Sequence, residues 1–293
     1  MELQDRLEEL RGQGLGVAAI SYDSETVLAD FAKRRAIGFP LLSDDNSAVI
    51  TDFGILNTVA AEAQGPNAEN PDVVADVRQY VSVFGASSNI VGTPFPGTFM
   101  LDAEGKVTAR FFEEFYRERN TTANVMLKLG AGLSPIAAIE GETAHLKLTA
   151  YPSNTSITVG TRFSFALEVE PNPNIHVYAP GADAFGYRVI ALNLNPVEHV
   201  RFEPVLFPES EIYHFEPLDE RVPVYQEPFK LLQEAVVSGE PGVEDAFKEL
   251  DGLTFSGTLD YQACDDAICF DPVSLPVSFT LDVDLLDRER ANR

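Results

Sequence analysis

HLKLTAYPSNTSITVGTRFSFALEVEPNPNIHVYAP, residues 145–180, carries three short strand-like runs, HLKLTAYP, RFSFALEVEP and NIHVYAP, with Pro, Asn and Gly between them. The rhythm continues through YRVIALNL (187–194), HVRFEPVLFP (199–208), LTFSGTLDYQAC (253–264) and LPVSFTLDVDL (275–285), at least seven strands in all. Such spacing predicts an all-β sandwich over residues 142–286. Upstream the pattern changes to alternating helix and strand signals. Met1, Leu3, Leu7 and Leu10 share one helical face closed by Gly12 and Gly14, and LGVAAISYD (15–23) reads as a buried strand. Ser24 can N-cap a helix with Val27, Leu28, Phe31 and Ala32 on one face, and Ile37 to Leu42 returns as a strand. Beyond GPNAENPD (65–72) come a helix from Val73 to Phe84, a hairpin with strands Thr98–Leu101 and Val107–Phe112 turning at Ala103-Glu104-Gly105, and a helix Thr121–Leu129 closed by Gly130 and Gly132. The boundary falls around Ser134 to Glu142, with residues 1–135 as an α/β domain.

Composition narrows the function classes. The chain has 293 residues with 45% hydrophobic side chains, enough for two cores, and 21 basic against 46 acidic residues leave a net charge of −25. That excludes nucleic-acid and anionic membrane surfaces as partners, because no basic face can neutralise phosphates. The uncharged run Gln79 to Leu101 is broken by Gly85, Gly92, Pro94, Pro96 and Gly97, so no direct membrane insertion is expected. MELQDRLEELR is acidic and amphipathic, unlike a signal peptide. His145, His176, His199 and His214 lack ligand spacing, and two cysteines alone cannot complete a zinc site, so neither metal nor cofactor is expected. Asp44 with Asp45, and Glu113 with Glu114, read as solvated edges, and Phe111, Phe112, Phe115 and Tyr116 as core.

Chemistry concentrates in Cys264 and Cys269, the two cysteines of the chain. Their spacing allows a bond across antiparallel strands at about 4.5 to 5.5 Å between Cα atoms. As a structural staple it would be weak, since closing about six residues is worth roughly 2 kcal/mol against about 4.7 for a 100-residue loop. Asp265 and Asp266 between the sulfurs raise a thiol pKa, so exchange is expected inside a specific complex where a partner supplies compensating groups. A redox-active pair is favoured over a staple; both readings stay open at this point.

GTPFPGTFMLDAEGKV (92–107) resembles the thioredoxin-like superfamily, in which a cis proline precedes the penultimate strand beside the redox centre; Pro96 is the matching position. With GLGVAAISYDSETVLADFAKRRAIGFPLLSD, residues 1–135 are similar to the redoxin branch, the alkyl hydroperoxide reductase and thiol-specific antioxidant family. The resemblance implies an orienting or shielding Pro96. The family's opening strand and its reactive cysteine are absent from this chain, and Phe95, Pro96 and Gly97 stand where many peroxiredoxins carry an arginine. Open strand edges and an uncovered apolar face are therefore expected, peroxidase activity is not, and a translation start upstream of Met1 is expected to supply the strand and a catalytic cysteine.

YQACDDAICFDP (261–272), supported by NIHVYAPG (174–181), resembles the N-terminal (alpha) domain of the thiol:disulfide interchange protein DsbD, which implies that the sandwich is immunoglobulin-like. That resemblance implies a thiol-disulfide oxidoreductase in which Cys264 and Cys269 shuttle between dithiol and disulfide, Cys269 forming the mixed disulfide and Tyr261 orienting or shielding the pair. Glu209 to Tyr213 is the candidate for the covering loop. The implied partners are other thiol-disulfide proteins, a membrane-embedded electron donor among them, in a periplasmic or other extracytoplasmic compartment. The rival readings are a non-catalytic interaction module with a structural disulfide and a degenerate redoxin domain, and a peroxiredoxin-like antioxidant whose catalytic cysteine lies upstream of Met1.

Overall fold

The computed structural model describes residues 2–57, 62, 66–84, 94–112, 118–130, 135, 137–216, 219–240 and 242–286. Expectations for Gly85, Gly92, Glu113, Glu114, Phe115, Tyr116 and Gly132 fall outside them. The chain forms two compact units, residues 1–122 with 287–293, and Ala123–Leu286.

The first unit contains α1 (Glu2–Asp5), α2 (Leu7–Gly12), β1 (Ala19–Ser21), α3 (Glu25–Arg34), β2 (Leu41–Ser43), α4 (Ala48–Asp52), α5 (Pro71–Phe84), β3 (Gly97–Leu101), β4 (Val107–Phe112) and β5 (Arg119–Asn120). Leu7, Leu10, Leu28, Phe39 and Ile50 are buried. The expected first helix is broken at Arg6, and the expected strand 15–23 is ordered as β over three residues. β1 lies parallel to β2 with Ile20 opposite Leu42, and β3 pairs antiparallel with β4 around the turn at Gly105. Among the described residues β1 has no other strand neighbour, nor has β3. Ile20 is 44% and Leu42 47% exposed, so this strand pair is not the buried one its sequence suggests; opposite residues share a face, and here that face is open.

Three further expectations are corrected. No described peptide bond is cis, so the bond preceding Pro96 has the trans form that even proline favours. Asp44 is buried rather than solvated, its Oδ2 accepting the Ile50 N–H at 2.8 Å inside α4. Phe112 stays partly exposed, one edge packed on Phe99 with centroids 5.2 Å apart.

The second unit comprises α6 (Thr122–Lys128, less its first residue), β6 (Ile139–Glu142), β7 (Leu146–Pro152), β8 (Ser156–Ile157), β9 (Thr161–Pro171), β10 (His176–Tyr178), β11 (Ala191–Leu194), β12 (Val200–Phe202), β13 (Glu211–Phe215), β14 (Glu220–Tyr225), β15 (Phe229–Val237), α7 (Val243–Phe247), β16 (Gly252–Tyr261), β17 (Ala263–Cys264) and β18 (Val273–Val283). One sheet contains the order β12-β15-β9-β7-β6 and another β11-β16-β18-β8. Alternate residues of their strands, Phe163, Phe165, Leu167 and Val169 from β9, Leu231 and Ala235 from β15, Phe255 and Leu259 from β16, Phe279 and Leu281 from β18, fill one shared core. Phe165 sits at its centre, stacked on Phe279 at 4.9 Å. At Gly257 a Cβ would collide with the Asn193 carbonyl oxygen of β11, which is why the crossing strand carries glycine there.

Compactness places the division at Thr122/Ala123, ahead of the expected boundary at 135–142. The cause is polar docking of α6 on the sandwich. Buried Asn124 accepts the Ser164 hydroxyl at 2.5 Å and donates to Glu234 at 3.0 Å, while Lys128 pairs with Glu234 at 2.9 Å.

Candidate functional site

A third sheet, β13-β14-β10-β17, carries Cys264, and Cys269 bridges to it. It forms because one strand changes partners. β16 runs against β18 as far as Tyr261 opposite Val273, and two residues later Ala263 and Cys264 pair with Val177 and His176 of β10. Tyr261 anchors this crossover from within the main core, fully buried, its hydroxyl 2.7 Å from Thr143 Oγ1. Its ring packs in the main core, whereas Cys264 packs in a separate small cluster.

Cys264 and Cys269 form a disulfide with Cα atoms 4.0 Å apart. They pair directly across a tight hairpin, flanked by the Phe270 N–H donating to the Ala263 carbonyl and the Asp265 N–H to the Ile268 carbonyl. Asp265 stabilises the turn, its Oδ1 accepting the N–H groups of Ala267 at 2.8 Å and Ile268 at 2.7 Å. Those bonds, Ile268 first, hold its carboxyl below the ordinary carboxylate range. Cys264 is 1% exposed, in a small cluster with Tyr178, Ala182, Val222 and Val224; Cys269 is exposed.

The side chain on the sulfurs is Tyr178 of β10, which the sequence did not single out by itself, although NIHVYAPG contains it. Its hydroxyl lies 3.0 Å from Sγ of Cys264 and 3.3 Å from Sγ of Cys269, and as neither sulfur of a disulfide carries hydrogen, the phenol donates. Tyr187 stacks on Tyr178 at 4.2 Å and donates to Glu220 at 2.7 Å. Burial, then the charges of Tyr187 and Glu220, raise the Tyr178 pKa well above that of a free phenol.

Part of the expected covering loop, Glu209 to Tyr213, is the start of β13, hairpin partner of β14. Tyr213 stacks on His176 with centroids 4.5 Å apart and donates to Asp266 Oδ1 at 2.8 Å, fastening the hairpin to the disulfide turn. Burial and the bond to Asp266 push its pKa up to about 12. His176, buried and opposite Cys264, is held below its ordinary pKa by burial, with Asp266 and Asp265 opposing. Pro96 immediately precedes β3 in the first unit, which contains no cysteine.

Fold and site together define a redoxin-type, thioredoxin-like segment followed by an immunoglobulin-like sandwich bearing a hairpin disulfide. Residues 1–110 match the family model described as AhpC/TSA family, and residues 147–279 that of the thiol:disulfide interchange protein DsbD, N-terminal. Peroxiredoxin Bcp of Escherichia coli K12 is 38% identical over 53 residues, 18% of this chain and 34% of the relative, so the chain spans about a third of the curated relatives it matches. Among solved structures, the reduced N-terminal domain of Neisseria meningitidis DsbD is similar at 14% identity and TM-score 0.27, over 41% of this chain and 78% of that one. The N-terminal periplasmic domain of ScsB from Proteus mirabilis matches at 14% identity and TM-score 0.33, over 50% of each chain.

Proposed function

We propose that the sandwich unit exchanges thiol and disulfide with partner thiol proteins through Cys264 and Cys269. The observation that carries this reading is the asymmetry of the pair: Cys269 is exposed, Cys264 is buried, and the Tyr178 hydroxyl reaches both sulfurs. A partner thiolate attacking Sγ of Cys269 forms a mixed disulfide, breaks the Cys264–Cys269 bond and leaves the electron pair on Sγ of Cys264. Tyr178, which keeps its proton at neutral pH, donates its hydrogen bond to that thiolate, a stronger interaction than the one to neutral sulfur. A second partner thiol then attacks the partner's own sulfur in the mixed disulfide, releasing Cys269 as thiolate and the partner as disulfide. Two electrons have then passed to this pair, and the reverse sequence carries them out.

The match of residues 147–279 to the DsbD N-terminal family supports the same reading. Small thiol proteins and a membrane-embedded electron donor are partners of suitable chemistry, and an oxidising extracytoplasmic compartment suits such a pair. Among the described residues no helix is long and apolar enough to cross a membrane. The competing reading, an interaction module with a stapled disulfide, gives the bond little to do, because so short a loop contributes only about 2 kcal/mol.

Oxidised glutathione and mass spectrometry test the assignment. Reduced Cys264→Ser should form a stable adduct at Cys269, whereas Cys269→Ser, left with its buried sulfur, should react about 100-fold more slowly and keep its fold. Equal reactivity of the two variants, or a loss of more than about 4 kcal/mol of stability on removing Cys269, would contradict it.

A further inference from the structure

The exposed Cys269 closes a turn that carries two carboxylates, Asp265 and Asp266. Asp265 is fixed by two backbone N–H groups and Asp266 by the Tyr213 hydroxyl; Glu220 lies behind Tyr187. Among the described residues no ion pair joins any of the three to a basic side chain. Several of the sandwich's cations are engaged elsewhere: Lys230 with Glu168, Arg201 and Arg162 with Glu203, Lys128 with Glu234 and Lys248 with Asp245. Hydrogen bonding to neutral donors orients Asp265 and Asp266 without cancelling their charge.

Disulfide exchange brings a thiolate to Cys269 and spreads one negative charge over three sulfurs in line. Fixed carboxylates on the attacked turn oppose that charge, and a cation beside the attacking sulfur removes the opposition by pairing with them. We propose that Asp265 and Asp266 make this disulfide selective for thiols flanked by positive charge, so that the natural partner presents Lys or Arg next to its attacking cysteine. The inference rests on the exchange reading above and names its specificity. The step keeps the same balance: the S–S bond to Cys269 forms as the bond to Cys264 breaks, with the electron pair going to Cys264.

Three small thiols of similar reach test it on the full oxidised chain: cysteamine, 2-mercaptoethanol and 3-mercaptopropionate, whose thiolate forms carry net charges of about 0, −1 and −2. Second-order rate constants, expressed per thiolate at about 10 mM ionic strength, should fall in that order by about tenfold per step, and the spread should shrink below about threefold at 1 M salt. Asp265→Asn with Asp266→Asn keeps both acceptors of the turn and should compress the low-salt ratio of cysteamine to mercaptopropionate at least tenfold. Reaction with all three thiols at equal constants, or a ratio unmoved by the double substitution, would overturn the charge selectivity and leave exchange standing. No reaction with any of them would overturn both.

Discussion

Tyr178 is the residue on which the chemistry of the pair turns. Replacing it with Phe keeps the ring stacked on Tyr187 and deletes the hydroxyl that reaches both sulfurs. Exchange at Cys269 should slow by about tenfold, the worth of a hydrogen bond to a charged sulfur, while Tyr261→Phe, which loses a bond to Thr143 in the core, should cost stability of about 1 kcal/mol and leave the exchange rate within a factor of two. Rates measured with 2-mercaptoethanol and unfolding in denaturant check both; a slower Tyr261→Phe and an unchanged Tyr178→Phe would reverse the assignment. His176 gives the site a pH signature. Its folded pKa lies below the ordinary 6.5, so as pH falls through 6.5 the unfolded chain binds a proton that the folded one refuses. The contribution to stability is complete above 6.5 and is lost progressively below it. His176→Phe should show a flatter fall in unfolding free energy between pH 7.5 and 5.5 than the parent, and parallel curves would contradict this. The cysteine pair was legible in the sequence because its partners lie in one local hairpin. Tyr178 and His176 were not, because they meet Cys264 through a register between strands over eighty residues apart, set by core packing rather than by any local pattern.

At the scale of elements, the strands that read clearly are those punctuated by Pro, Asn and Gly. β15 escaped notice although it lies inside the larger sheet, because FKLLQEAVV is rich in helix-forming residues and becomes a strand only between β9 and β12. α6 was recognised as a helix, and compactness groups it from Ala123 on with the sandwich. Nothing in TANVMLK states that Asn124 will be buried against Ser164 and Glu234. Asn124→Ala leaves the Ser164 hydroxyl without that acceptor in a buried position and should lower the stability of the sandwich by about 1–3 kcal/mol. Denaturant unfolding followed by tyrosine fluorescence reads this directly; a change under about 0.5 kcal/mol would mean that α6 is not part of the sandwich's folding unit.

For the molecule as a whole, the change of sequence rhythm announced two architectures, and two units are found, with their division shifted by the α6 helix. In the first unit Ile20 and Leu42 are exposed on the paired strands β1 and β2. All the thiol chemistry this chain can perform belongs to the second unit, where Cys264 and Cys269 reside. Whether that bond is exchanged or merely structural is decided by its reduction potential, measured on the full chain by equilibration with glutathione and dithiothreitol buffers at pH 7. An exchanging pair should titrate as a single two-electron couple between about −300 and −120 mV. A potential below about −300 mV, where structural disulfides lie, would contradict the assignment of Cys264 and Cys269 as the reacting pair.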